Sequence, residues 1–413
     1  MLPDRLPIHH SWNIVRFKEP VMWQRTDDET WLLNPRRRYL LNSLHLAKLT
    51  QYVESVSELE GSGLYRPLRS GVNLSNANVL LERMRDRGIG DLLFLTGPLR
   101  FFQHVTGSSV NIDSYSLADR GAILTGCPWL SSKSTLAGPL HYDDLQHYDF
   151  HWMLGTVTEC NEEPDQLNVY DALYRQLGFD PAQIDVQFKR PTAWIQPEDD
   201  KNLDQFYYMV WMQKKVDLRR TGYYVVAPLA AASLRCMKYA DWLPIIKELA
   251  DRRPVVVVGL LHERMPTMGM SVGQFNAELG NVSEGVINVL GGTNLRFTLA
   301  LIAKANAVVT LDTGPLYMAQ ALRVPAISVW GTHHPGTRIG YDKDYMDLAI
   351  WEHEACGFSP CYAYGCFPEL KCPLGSSQET CQVLASVTVD AVTAKLDMVE
   401  SRGVALGSFK SAT

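Results

Sequence analysis

Ala307-Val-Val-Thr-Leu311-Asp312-Thr313-Gly314-Pro315-Leu316-Tyr317-Met-Ala-Gln-Ala-Leu322, followed by Pro325-Ala-Ile-Ser-Val-Trp330-Gly331, decides the fold of this chain. The apolar run 307–311 predicts a fully buried strand. Asp-Thr-Gly-Pro predicts a turn, 316–322 a short helix and 325–330 the next strand. Immediately upstream lie another apolar run (286–290), a Gly291-Gly292-Thr293 turn and an amphipathic segment (294–305). Short apolar strands alternating with helical periods predict parallel βαβ units, and ligands of such sheets sit beyond the carboxyl ends of the strands. Asp312-Thr313-Gly314 occupies such a loop. Its glycine admits a close backbone approach, and the helix behind it turns unbonded N–H groups toward an anion.

The alternation continues upstream. Residues 223–227 read as a strand, 228–236 as a loop of small residues, and 238–251 as a helix packed through Trp242, Ile245, Ile246 and Leu249. Residues 255–258 form an apolar strand that runs into Gly259-Leu-Leu-His-Glu263, and 270–279 read as a helix. An earlier series begins with a strand at 78–84, a turn holding Gly88, Gly90 and Asp91, and a helix at 92–105. Strands at 110–114 and 148–154 follow, with a short helix and turn at 120–130 and helices at 168–177 and 204–215. The expectation is an α/β chain of two Rossmann-like halves facing across a cleft: a first domain over 78–215 and a second over 216–395. An N-terminal extension (1–77) and a C-terminal tail (396–413) flank them. Within the extension, Leu40, Leu41, Leu44, Leu46, Leu49, Tyr52, Val53 and Val56 recur at roughly helical spacing and predict a helix over 39–59. The Arg36-Arg37-Arg38 run before it could form a phosphate or membrane contact, but a solvated helix start is the plainer reading.

Composition sets the class. The 413 residues are 46% hydrophobic and 20% charged, with a net charge of −6. That is the balance of a globular protein, with no general attraction to nucleic acid. No window approaches the ~18 apolar residues of a membrane span, and the N-terminus lacks the basic-then-apolar layout of a signal peptide, so the expected location is the cytoplasm, with a peripheral place at the membrane as the alternative. Five cysteines, Cys356, Cys361, Cys366, Cys372 and Cys381, crowd a short stretch without a Cys-X-X-Cys pair. A structural zinc site is one reading. Thiols in an irregular lobe is the plainer one, because structural zinc favours close cysteine pairs.

Four strand-end loops carry ligand-capable side chains: Gly90-Asp91, the loop before Lys238, Gly259–Glu263 and Asp312-Thr313-Gly314. A cation, a helix N-terminus with a threonine hydroxyl, and a carboxylate suit a phosphorylated nucleoside. The plain alternatives are a solvated lysine, a surface glutamate and an aspartate capping a helix. Gly88 and Gly90 lack the third glycine of a dinucleotide fingerprint, and no Gly-Lys-Ser/Thr of a Walker A loop is present. His333 and His334 stand near enough to Gly331 to reach a donor, but loop histidines are more often solvated.

The motifs Arg87-Gly-Ile-Gly-Asp91-Leu-Leu, Asn288-Val-Leu-Gly-Gly-Thr-Asn-Leu and Asp312-Thr-Gly-Pro, the last continuing to Val324-Pro325-Ala-Ile and Trp330-Gly331-Thr332, resemble glycosyltransferase family 9, the ADP-heptose:lipopolysaccharide heptosyltransferases. The resemblance spans about 78–395 and implies a GT-B fold with the nucleotide sugar on the C-terminal half and the acceptor on the N-terminal half. By motif position, Asp91 would be the general base, Lys238 the contact to the donor phosphates and Glu263 the contact to the nucleoside. Asp312, Thr313 and Gly314 would hold the diphosphate and sugar. The family loop continues with a histidine five residues after the aspartate. Here that position is Tyr317, which can donate a hydrogen bond but carries no charge at neutral pH.

The expected activity is therefore inverting, metal-independent transfer of a sugar from a nucleotide-diphospho-sugar to an acceptor hydroxyl. The acceptor would be a glycan, a lipid-linked or another hydroxyl, including a protein or a modified DNA base, although the net charge disfavours DNA. A nucleotide-sugar-binding protein without catalysis and a nucleotide-sugar epimerase are the competing functions.

Overall fold

The C-terminal half holds the frame on which the site is built. In a computed structural model, the structure describes residues 12–26, 29–33, 35–36, 39–42, 49–58, 79–82, 88–107, 109–112, 120–130, 150–153, 167–176, 179–261, 267–361, 372–374 and 380–402. The described strands are β1 (Trp12–Phe17), β2 (Val21–Thr26), β3 (Glu29–Leu33), β4 (Tyr39–Asn42), β5 (Val53–Glu58), β6 (Val79–Glu82), β7 (Val110–Ile112) and β8 (Phe150–Met153) in the first part of the chain. The second part holds β9 (Tyr224–Ala227), β10 (Val255–Val257), β11 (Val286–Asn288), β12 (Ala307–Leu311), β13 (Ala326–Val329) and β14 (Ala349–Ile350). The helices used below are α1 (Ile89–Phe94), α2 (Thr96–Thr106), α3 (Val169–Gln176), α4 (Pro197–Lys214), α5 (Tyr239–Arg252), α6 (Val272–Val282), α7 (Leu295–Lys304), α8 (Gly314–Ala321) and α9 (Val389–Arg402).

Strands β9 to β14 form one parallel sheet in the order β11-β10-β9-β12-β13-β14. Counted from β9, this is the 3-2-1-4-5-6 order of a doubly wound sheet. Its central strands are buried along their whole length because helices cover both faces. That is why they read in the sequence as unbroken apolar runs rather than alternating ones. Trp242, Ile245, Ile246 and Leu249 of α5 pack into one face of this core, as expected from their spacing. In the first half, β6 lies between β7 and β8 and is parallel to both. The first strand falls inside its expected range, residues 83–87 of the expected turn lie outside the described residues, and the helix expected over 92–105 begins at Ile89, taking in Gly90 and Asp91, and is broken at Leu95 into α1 and α2.

The expected helix over 39–59 is not formed. Residues 39–42 and 53–58 are strands, and both pair antiparallel with β1. Leu44 and Leu46 lie outside the described residues. The leucine and valine spacing is compatible with both periods. Val53-Glu-Ser-Val-Ser-Glu58 carries two β-branched valines, which suit an extended chain when a partner strand is available. Val15, Phe17, Val21, Leu33 and Leu49 make a small separate core beneath it.

One apolar cluster runs through both halves. It joins Leu92, Phe94 and Phe102 with Tyr170 and Tyr174 of α3, and continues to Leu299, Leu316, Tyr317 and Met318. Polar clamps reinforce the same seam. Arg296 on α7 donates to both carboxylate oxygens of buried Asp199 on α4, to the Trp194 carbonyl at 2.8 Å and to the Ala122 carbonyl at 3.4 Å. Nearly buried Lys189 donates to Asp171 at 3.0 Å and to the Tyr341 hydroxyl at 2.9 Å.

Candidate functional site

In the 3-2-1-4-5-6 order, β9 and β12 are adjacent although 80 residues separate them, and the chain leaves them in opposite directions around the sheet. That switch point opens a crevice at the carboxyl ends of the two strands. After β9 the chain enters the loop carrying Arg235, and after β12 it enters Asp312-Thr313-Gly314. The Arg235 guanidinium Nη2 lies 3.0 Å from Asp312 Oδ2, and Arg235 also donates to the Asp312 main-chain carbonyl. The ion pair therefore spans the switch point.

Asp312 is almost fully buried, and the Tyr317 hydroxyl, one helical turn on, donates to its Oδ1. Burial alone would raise the Asp312 carboxyl. Arg235, His333 and Arg338 and the tyrosine hydrogen bond outweigh it and hold the group below the usual carboxylate range. Burial, together with the Asp312 charge, pushes the Tyr317 phenol well above its ordinary value, so it stays a neutral donor. His333 is buried rather than solvated, against the expectation for a loop histidine. Its Nδ1 is 2.9 Å from Thr332 Oγ1. Burial, and then the Arg338 charge, lower its pKa to about 3. His334 is partly covered: its Nδ1 accepts from the Gly336 N–H at 2.9 Å, and its ring lies edge-on to Trp351.

The N-terminus of α8 meets the N-terminus of α1 from the other half of the chain. A Cβ on Gly314 would lie 3.2 Å from the Ile89 Cβ, and a Cβ on Gly90 would lie 2.5 Å from Tyr317 Cδ2. Gly90 is needed for this approach, since nothing larger fits there without displacing the tyrosine ring, while a methyl at Gly314 would press on Ile89 more mildly. Phe94 completes the slot around Tyr317, with ring centroids 4.6 Å apart and edge-on geometry. Asp91, at the third position of α1, accepts the Gly88 N–H on Oδ2 at 3.0 Å. The carboxylate thus closes the first turn of its own helix from the third position; the plain reading of Asp91 as the N-cap is corrected, since the helix starts earlier and Gly88 is the N-cap.

The structure thus brings together Asp91, Asp312, Thr313, Gly314 and Tyr317 on two facing helix starts. Thr313 begins α8, and its Oγ1 is 3.3 Å from Thr310 Oγ1. Lys238 stands exposed at the start of α5, so the cation placed on Asp312 is Arg235, three residues earlier. Glu263 lies outside the described residues. Arg235 and Arg338 were not singled out in the sequence. The available signal for Arg235 was a lone arginine in a loop of small residues following the first strand of a half.

Cys356, Cys361, Cys372 and Cys381 line one small cavity with Leu234, Gly331 and Thr332, while Cys366 lies outside the described residues. Among the described residues, no three His, Cys, Asp or Glu side chains come together closely enough to hold a metal ion. The Cys381 thiol is pushed up by burial and by the neighbouring Cys361 and Cys356.

With this geometry in place, the comparisons with known proteins can be read. Residues 175–366 match the family model described as Glycosyltransferase family 9 (heptosyltransferase). Among solved structures, E. coli ADP-heptose lps heptosyltransferase II superposes with a TM-score of 0.52 at 13% identity, over 79% of this chain and 99% of that one. A glycosyltransferase family 9 protein from Veillonella parvula gives 0.52 at 11% identity, over 79% and 98%. TibC from enterotoxigenic E. coli, described as a bacterial iron-containing dodecameric glycosyltransferase, gives 0.51 at 13% identity, over 96% of this chain and 92% of its own. That last coverage is too wide to leave out the N-terminal extension. No curated protein matches the chain significantly. At these identities the superpositions speak for the fold, and the fold is GT-B. The family model lies over the half that carries the switch point, so the match and the crevice fall on the same loops. Over residues 175–366 the chain is similar to glycosyltransferase family 9, and in fold it is similar to the heptosyltransferases.

Proposed function

We propose that the chain moves a sugar from a nucleotide-diphospho-sugar to an acceptor hydroxyl with inversion at the anomeric carbon, at the meeting point of α1 and α8. The observation that supports this most directly is the packing of Gly314 on Ile89 and of Tyr317 on Gly90, which sets the start of each half's helix against the other. In the proposed step the acceptor oxygen bonds to the anomeric carbon while the Asp91 carboxylate takes its proton. The bond from that carbon to the phosphate oxygen breaks, and its electron pair leaves with the nucleoside diphosphate. The amide groups at the start of α8 and the cation Lys238 face the developing charge, so a metal has no assigned part in the step. Glu263 holds the nucleoside, and Thr313 and Gly314 the diphosphate. Tyr317 fixes Asp312 beside the sugar. The acceptor is a glycan, lipid-linked or other hydroxyl compound, and the reaction takes place in the cytoplasm.

Incubation with a panel of labelled nucleotide sugars tests the reading. Free nucleoside diphosphate that appears only with acceptor supports transfer. Retained turnover in an Asp91→Ala variant would remove Asp91 as the base. A second reading, binding of a nucleotide sugar without transfer, is favoured by Tyr317, which already occupies one oxygen of Asp312. Tight binding without diphosphate release with every acceptor would select it. The cysteine lobe is given no role in the proposed step; its described thiols share one small cavity. Metal analysis of the purified full chain reads this lobe directly: one equivalent of zinc or iron per chain would make it a structural metal site.

A further inference from the structure

Helix α4 is apolar on two opposite faces. Leu203, Phe206 and Val210 point into the core. On the other side, Tyr208, Trp211, Met212 and Lys215 follow at i, i+3, i+4 and i+7, one continuous stripe. Tyr208 is 62% exposed, Trp211 47% and Met212 46%, and Met209 beside them is 52% exposed. The Tyr208 and Trp211 rings lie 6.4 Å apart, and the Lys215 ammonium sits over the indole at 5.3 Å. A helix that serves only to cover the core carries polar residues on its solvent side.

The stripe ends in a basic rim. Lys214 and Lys215 close α4, and Arg219 and Arg220 follow in the next short helix. Asp217 between them is committed to the main-chain N–H groups of Arg219 and Arg220, and Arg219 pairs with Asp204. Lys214, Lys215 and Arg220 thus keep a local positive charge on a chain whose net charge is −6. We infer that this face docks on an anionic lipid surface, with Tyr208, Trp211 and Met212 entering the headgroup boundary and the three cations meeting lipid phosphates. Amphipathic aromatic rings settle at that boundary, and flanking lysines and arginines select anionic lipid. A second copy seated by a two-fold axis would set basic rim against basic rim, which disfavours the other way of covering the patch. The inference does not depend on the donor or the acceptor, so its failure and the failure of the proposed transfer are separable.

Co-sedimentation of the full chain with vesicles tests it, using phosphatidylcholine alone and phosphatidylcholine with phosphatidylglycerol. Binding is expected only to the anionic vesicles and is expected to weaken with added salt. A Lys214→Glu, Lys215→Glu variant removes two favourable charges, each worth about fivefold, so binding should fall at least about 30-fold. A Trp211→Ser, Met212→Ser variant should lose binding while its thermal melting curve stays unchanged, because both side chains lie outside the core. Three results would overturn the inference: equal binding to neutral vesicles, no binding to either kind, or a wild-type oligomer that Trp211→Ser, Met212→Ser dissociates. The last would assign the patch to a second copy.

Discussion

Replacing Tyr317 with phenylalanine isolates one interaction at the centre of the site. The ring is buried, slotted between Gly90 and Phe94, and phenylalanine keeps both contacts. Only the O–H donated to Asp312 is lost. A hydrogen bond to a charged group contributes about 1.5–3 kcal/mol. Asp312 retains Arg235 at 3.0 Å, so the lower part of that range, about 1.5–2 kcal/mol, is the expected loss at neutral pH. The pH dependence has a fixed sign. The Asp312 carboxyl is held below its ordinary value of 3.8 in the folded chain. Its contribution is therefore complete above that value and disappears as pH falls through the lower folded value. The gap between wild type and Tyr317→Phe should accordingly stay constant from pH 7 down to about 4 and close below 3.8. Urea unfolding followed by tryptophan fluorescence at a series of pH values measures it. A Tyr317→Phe protein within about 0.5 kcal/mol of wild type at pH 7 would refute the idea that the hydroxyl holds a buried, ionised Asp312.

Gly90→Ala drives a methyl to within 2.5 Å of a ring held on its far side, so overpacking should cost about 1–3 kcal/mol, read as a lower melting temperature. A Gly90→Ala, Tyr317→Leu double variant should recover part of that loss, and strict additivity would argue against the contact. His333, lowered from 6.5 to about 3 by burial, binds no proton in the folded chain where the unfolded chain does. Stability should therefore fall as pH drops from 6.5 toward 3, and His333→Gln should flatten that slope in a stability–pH series. Arg296→Met leaves the nearly buried Asp199 without its guanidinium, with an expected loss of about 3–5 kcal/mol in urea unfolding.

The second half was legible because its strands are buried on both faces. Sequences such as Val255-Val-Val and Ala307-Val-Val-Thr-Leu have no competing period, and Asp312-Thr-Gly-Pro punctuates them sharply. Asp312 itself was visible as a loop residue. Arg235 was not, because its partner is set by β9 lying beside β12, a relation between distant strands that no local window contains. His333 was misread for a related reason. Its burial follows no pattern around His333-His334, and the charges that act on it, Asp312 and Arg235 among them, come from distant loops. In the N-terminal extension, leucine and valine spacing fitted a helix, yet pairing with β1 decided for strands. Lys238 was visible as a helix-start cation, and the structure places it at that helix start on the surface.

The course of α4 bears on how the chain can be dissected. Counted along the sequence, this helix precedes residue 216, yet it rests on the second half. Phe206 meets Phe297 edge-on at 5.4 Å, Lys304 pairs with Asp200 at 3.2 Å, and the Tyr207 and Tyr223 hydroxyls are 3.1 Å apart. A fragment starting at residue 216 would carry the six-stranded sheet with one flank of α7 stripped to solvent, and it should be recovered mostly as aggregate. A fragment starting ahead of Pro197 would take its own cover with it.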